Sequence, residues 1–135
     1  MTTLTTTPPP VREATRDDVD SAIARAREAQ PRWAATPGPE RRLVLRRAAA
    51  ALDARRPELV DLVITETGGT RRKAEGEVGD SIEELHLAGA LALTPTAEIV
   101  PSVRPGRENV VERVPVGVIG LITGWNFPMH LALRI

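Results

Sequence analysis

Apolar and polar positions follow two rhythms along this chain, and the change falls near residue 95. Up to that point the spacing is helical. Val19, Ile23, Ala26 and Gln30 recur at near-helical intervals, in a pattern that runs to about Thr36. Thr15-Arg16-Asp17-Asp18 opens it as a capping box, with the Thr15 hydroxyl available to an orphan N–H and Asp18 able to reach back. Asp17 and Asp18 also sit at the positive end of the helix dipole. Pro31 is expected to kink this helix or divide it in two. "TPGPE" (36–40) is a break and a restart, with Pro39 suited to a first helical position. Leu45, Ala48, Ala49 and Leu52 then mark one apolar stripe, with arginines on the other faces. Pro57 begins a third segment that groups Leu59, Leu62 and Val63, and Gly68-Gly69 ends it, since glycine accepts the left-handed conformation at a helix C-terminus. A fourth helix is expected over 71–93, with Ile82, Leu85, Gly89 and Ala92 on one face and Gly76 and Gly79 weakening its first half.

Beyond "LTPTA" the rhythm shortens. "PSVRPGREN" is proline- and glycine-rich loop chemistry. "NVVERVP" (109–115) predicts a strand, and "VGVIGLIT" (116–123) a second, more buried one of the kind found in a parallel sheet covered on both faces. Pro128 then fits the first turn of a helix starting near Phe127. There is no internal repeat. One buried parallel strand needs neighbours and no further strand–helix units follow it, so the pattern predicts the front part of a larger α/β protein.

Composition narrows the classes. Lys plus Arg and Asp plus Glu number 18 each, so no global field favours nucleic acid or a membrane surface. Almost all the positive charge is arginine, paired at 41–42, 46–47, 55–56 and 71–72. Acidic neighbours and helical patterning make these pairs solvated helix faces rather than an RNA-binding surface. Lys73 is the single lysine. With no cysteine, this segment holds no disulfide, thiolate metal site or cysteine nucleophile. Residues 1–14 lack the basic and apolar regions of a secretory signal and predict a disordered polar lead-in. No apolar stretch nears the roughly 20 residues of a membrane-spanning helix. The expectation is a cytoplasmic protein with no metal, membrane or nucleic-acid partner.

The chemistry concentrates in "GWNFP" (124–128). As a phosphate-binding turn it is poor, because Gly117, Gly120 and Gly124 do not form G-x-G-x-x-G and two of them lie within the predicted strand. Two readings of Asn126 remain. At the end of a buried strand its amide is a fixed donor that stabilises an oxyanion; alternatively it caps the following helix. Trp125 and Phe127 are candidates for core packing. His130 is either a solvent-facing or a packed neutral imidazole, and His86, on a helix among leucines, reads as structural. Arg134, in an apolar helix, must reach water or a carboxylate.

"PVGVIGLITGWNFPMHLALR" resembles the aldehyde dehydrogenase superfamily, which carries P-x-G-V-x-G-x-I-x-P-W-N-F-P at the first strand of its NAD(P)-binding domain. "TRDDVDSAIARAREAQPRWAATPGPERRLVLRRAAAALDARRPELVDLVITETGG" is similar to that family's N-terminal helical region, so the resemblance covers nearly everything from Thr15. Gly124 departs from the family's usual proline. "PSVRPGRENVVERVPVGVIG" and "FPMHLALR", with Arg134, lean towards the branch acting on benzaldehyde-like aldehydes. Trp125 stands where that branch commonly has phenylalanine.

The resemblance implies a helical region leading into a β-ribbon and the first strand–turn–helix of a Rossmann-like domain. Residues 15–135 would be the N-terminal portion of that NAD(P)-binding domain, and 108–115 a strand of the oligomerisation ribbon. It implies NAD or NADP as cofactor, an aldehyde substrate, and a homodimer or homotetramer when intact. Within that scheme Asn126 is the oxyanion donor. Ile122, Thr123, Gly124, Trp125 and Asn126 touch the cofactor, and Phe127, His130, Leu131 and Arg134 line the substrate tunnel. The family's nucleophilic cysteine, general-base glutamate and ribose-binding lysine fall beyond Ile135, so the chain alone is expected to be inactive. Two other outcomes stay open: a non-enzymatic helical interaction module, and a relative that transfers the acyl group to CoA.

Overall fold

The computed structural model describes residues 11–134. Helix α1 (Arg16–Ala35) begins as its sequence predicts. The Asp18 backbone N–H donates to the Thr15 hydroxyl oxygen at 3.2 Å, and the Thr15 N–H donates to the Asp18 carboxylate at 2.8 Å. Pro31 does not divide the helix, which continues to Ala35. None of its residues is buried, so its predicted apolar stripe has no covering layer among the described residues. Of the lead-in, Val11 to Ala14 adopt no regular structure and Arg12 pairs with Asp18 at 3.1 Å. Residues 1–10 lie outside the described residues.

The core sits where three further helices meet. These are α2 (Gly38–Ala54), α3 (Arg56–Thr67) and α4 (Arg71–Leu91). Ala49 of α2, Val60 and Val63 of α3, and Ala74, Val78, Ile82 and Leu85 of α4 are buried together, with Leu45, Ala48, Leu52 and Leu59 packed around them. Each fully buried Val, Ile or Leu among them contributes about 1.5–3 kcal/mol over an exposed one. Leu62 departs from the predicted stripe and is 49% exposed. The helix turns so that Val60, one residue from Pro57-Glu58-Leu59, takes the inward position. Gly68 closes α3 at φ 66°, the left-handed geometry expected of it. Helix α4 runs unbroken through Gly76 and Gly79 and stops two residues before the predicted end.

Past α4 the expectations need two corrections. The strand predicted over 109–115 is β2 (Glu108–Glu112), and its antiparallel partner is β1 (Ala97–Pro101), with Ile99 opposite Val110. β1 falls partly in the stretch read as loop. It is five residues long, ends in proline and has no buried face, so it shows neither the length nor the alternation by which a strand is read. The second correction concerns 116–123, the strand expected to be more buried. These residues form no ladder, and most are exposed, Ile122 at 98%. A strand exists through its partners' hydrogen bonds, and no neighbouring strand lies alongside this segment among the described residues. Gly117, at φ 99°, also breaks the extended path. The segment leads to α5 (Pro128–Leu133), whose Met129 and Leu133 pack against the helical core.

Candidate functional site

The Gly-Trp-Asn-Phe turn joins the unpaired apolar segment to α5, and α4 fixes where it lies. Helix α5 packs against α4, so the turn is held at one end. Phe127, not Asn126, is the N-cap of α5, and no side chain makes the cap hydrogen bond. The helix-capping role is therefore not the one Asn126 plays. Its carboxamide instead folds back over Gly124: a Cβ at that position would stand 2.7 Å from the Asn126 Oδ1. That is closer than real side chains approach, so the missing Cβ of Gly124 is what admits this amide rotamer. Asn126 is exposed, as are Trp125 at 82% and Ile122.

What α4 contributes at the turn is polar. Glu77 is 1% exposed, among the most deeply buried side chains described. Its Oε2 accepts from Lys73 Nζ one helical turn away, and its Oε1 accepts from the Met129 N–H at 2.8 Å and more weakly from the His130 N–H at 3.5 Å. A buried carboxylate is tolerable only with a partner charge and hydrogen bonds, and Glu77 has both. The Met129 and His130 amides belong to the first turn of α5, where N–H groups lack intrahelical acceptors. Lys73 also places its ammonium 4.6 Å from the centre of the Phe127 ring, within cation–π range. One ion pair on α4 thus meets both the Phe127 ring and the Met129 amide, on the C-terminal side of Asn126.

The remaining predicted residues are distributed as follows. Thr123 and Leu131 are half-buried, and Leu131 reaches to 3.5 Å from where a Gly124 Cβ would stand. His130 turns towards α4, its Nε2 3.9 Å from Glu84 Oε1, while its Nδ1 is buried without a hydrogen-bond partner among the described residues. Arg134 is exposed at the C-cap of α5, and His86 is exposed on α4. The turn therefore gathers Gly124, Asn126, Phe127 and Leu131 at one place, while His130 leans away towards Glu84. Lys73 and Glu77 escaped the sequence reading. Their signal was present: spaced i,i+4, with Glu77 in line with Ala74, Ser81 and Leu85 on the inward face of α4.

Ile122 and Trp125 offer uncovered apolar surface, Thr123 a hydroxyl, and Gly117 and Gly120 backbone that no side chain screens, with open space where a Cβ would stand. No described helix is long and apolar enough to cross a membrane.

Residues 6–135 match the aldehyde dehydrogenase family. The chain belongs to that family. It is 45% identical over 121 residues to a benzaldehyde dehydrogenase [NAD(+)] of Pseudomonas putida, covering 90% of this chain and 25% of that protein. A vanillin dehydrogenase of Corynebacterium glutamicum is 41% identical over 123 residues, 91% of this chain and 25% of its own. Among solved structures, an NAD-dependent benzaldehyde dehydrogenase from Corynebacterium glutamicum superimposes with a TM-score of 0.83 at 41% identity, over 90% of this chain and 27% of that one. The helices, ribbon and turn correspond to the N-terminal part of that fold. The chain spans about a quarter of the length of these relatives.

Proposed function

We propose that these residues form the oxyanion side of an NAD(P)-dependent aldehyde dehydrogenase that oxidises aldehydes, aromatic ones among them, to carboxylic acids in the cytoplasm. The observation that carries this reading is the state of Asn126: exposed on a turn anchored from behind, with its carboxamide committed to no helix cap. In the proposed reaction a cysteine thiolate, supplied from sequence outside these residues, attacks the aldehyde carbon. The carbonyl π electrons move to oxygen, and the Asn126 Nδ2–H donates to the charge that develops there. NAD(P), when bound, supplies the hydride acceptor. Ile122, Thr123, Gly124 and Trp125 bear on the nicotinamide and its ribose, and Phe127, His130, Leu131 and Arg134 on the approach of the aldehyde. A water then releases the acid from the sulfur ester.

The 45% identity to a benzaldehyde dehydrogenase supports the aromatic preference. The β1–β2 ribbon supports assembly into a dimer or tetramer, because every residue of both strands is exposed and an isolated two-stranded ribbon is marginal in water. Lacking cysteine, the 135-residue chain by itself should show no dehydrogenase activity.

The test is Asn126→Ala in an enzyme that includes the cysteine-bearing remainder of the fold. The expected loss in kcat is roughly 10²–10³-fold, on the order of 2.7–4 kcal/mol. The start of α5 should survive, since Asn126 makes no cap hydrogen bond to it. Unchanged kcat would sink the reading. Product analysis with and without CoA separates acid release from acyl transfer.

A further inference from the structure

We propose that Glu77 is the positioning residue of the Asn126 turn, a role that rests on the oxyanion reading above. Three observations converge on it. The carboxylate is 1% exposed yet lies on the α4 face that otherwise buries alanine, valine, serine and leucine. It spans 52 residues of sequence to accept from the Met129 amide at 2.8 Å. Its second oxygen is held by Lys73, whose ammonium also faces the Phe127 ring. The chain just after Asn126 is thus tied to one helix, α4, through both an aromatic ring, that of Phe127, and a backbone amide, that of Met129.

The chemistry explains the choice of residue. A neutral acceptor would satisfy the Met129 N–H, but a carboxylate accepts more strongly and also recruits Lys73. Burying it without that ammonium would be costly, so the pair acts as a unit. A turn carrying an oxyanion donor must hold its geometry closely, because a displacement of about 1 Å can cost on the order of 100-fold in rate.

Two measurements test this. The first uses the chain itself. Amides in the first turn of a helix have no intrahelical acceptor and ordinarily exchange fast. Met129 should instead be protected, and Glu77→Leu should abolish that protection while Val78 and Ile82 keep theirs. Fast exchange at Met129 in the unsubstituted chain, with Val78 and Ile82 protected, overturns the proposal without reference to activity.

The second uses the intact enzyme. Glu77→Leu, of similar volume but without an acceptor, should lower kcat about 10- to 100-fold with the aldehyde KM little changed. Glu77→Gln, which keeps one acceptor oxygen, should restore most of it. In an Asn126→Ala background Glu77→Leu should have little further effect, because residues that act through one another do not add. Full multiplication of the two losses would overturn the role of Glu77 and leave that of Asn126 standing. A wild-type kcat for Asn126→Ala would remove both.

Discussion

Gly124 and Asn126 interact across a single intervening residue, and each limits what the other can be. Because a Cβ at 124 would lie 2.7 Å from Oδ1, Gly124→Ala should drive the Asn126 carboxamide into another rotamer. In the intact enzyme the variant is expected to alter kcat more than cofactor affinity; equal kcat with a displaced Asn126 in its crystal structure would show that this rotamer is not the productive one. A second local prediction concerns Asp18. The Arg12 guanidinium beside it, then the Thr15 amide and hydroxyl, hold its carboxyl at about 2, below the usual 3.8. A carboxyl depressed in the folded state stabilises fully above its unfolded value and loses that contribution as pH falls through the folded one. The α1 capping box should therefore persist at pH 4 and fray as pH drops towards 2. A carboxyl-carbon NMR titration of Asp18 reads this directly, and a midpoint near 3.8 would count against the Arg12 and Thr15 contacts.

Helix junctions show the same dependence on close approach. Gly38 opens α2 against the end of α4, where an added Cβ would meet the Ala92 carbonyl oxygen at 2.1 Å. That neighbour is backbone and cannot swing aside. Gly38→Ala should therefore destabilise the α2–α4 packing by about 1–3 kcal/mol, seen as a lower urea midpoint. Ribbon and helices differ in how they are held. Among the described residues β1 and β2 pair only with each other in the sheet, whereas α4 packs on α2, α3 and α5 together.

Seen entire, the described chain has a small helical centre and a broad uncovered apolar margin. Val110, Val116, Ile119, Ile122 and Trp125 all lie open among the described residues. Hydrogen exchange on the chain alone should find the slowest amides in α2–α4, with α1, the ribbon and 113–124 exchanging far faster. Uniform protection across those regions would mean that the margin is covered, and self-association measured by sedimentation would identify a second copy as the cover.

Local physical chemistry was enough for the first four helices and the Thr15 and Gly68 ends, and resemblance was enough for the family. The Thr15 capping box, the Gly68 terminus, the α2 stripe and the Gly-Trp-Asn-Phe-Pro motif each depend on neighbours within a few residues, so their signals survive in the linear order. The β1 strand, the unpaired 116–123 segment and the Glu77 clamp depend on partners 7 to 53 residues away or on none at all. A strand is made by its neighbour, and an apolar run carries no record of whether that neighbour is present. Glu77 looks like one more charge on a charged helix until folding brings the first amides of α5 to its oxygen. Which residue caps α5, and hence what Asn126 is free to do, was decided only there, because a hydrogen bond across a fold is a fact of distance rather than of order.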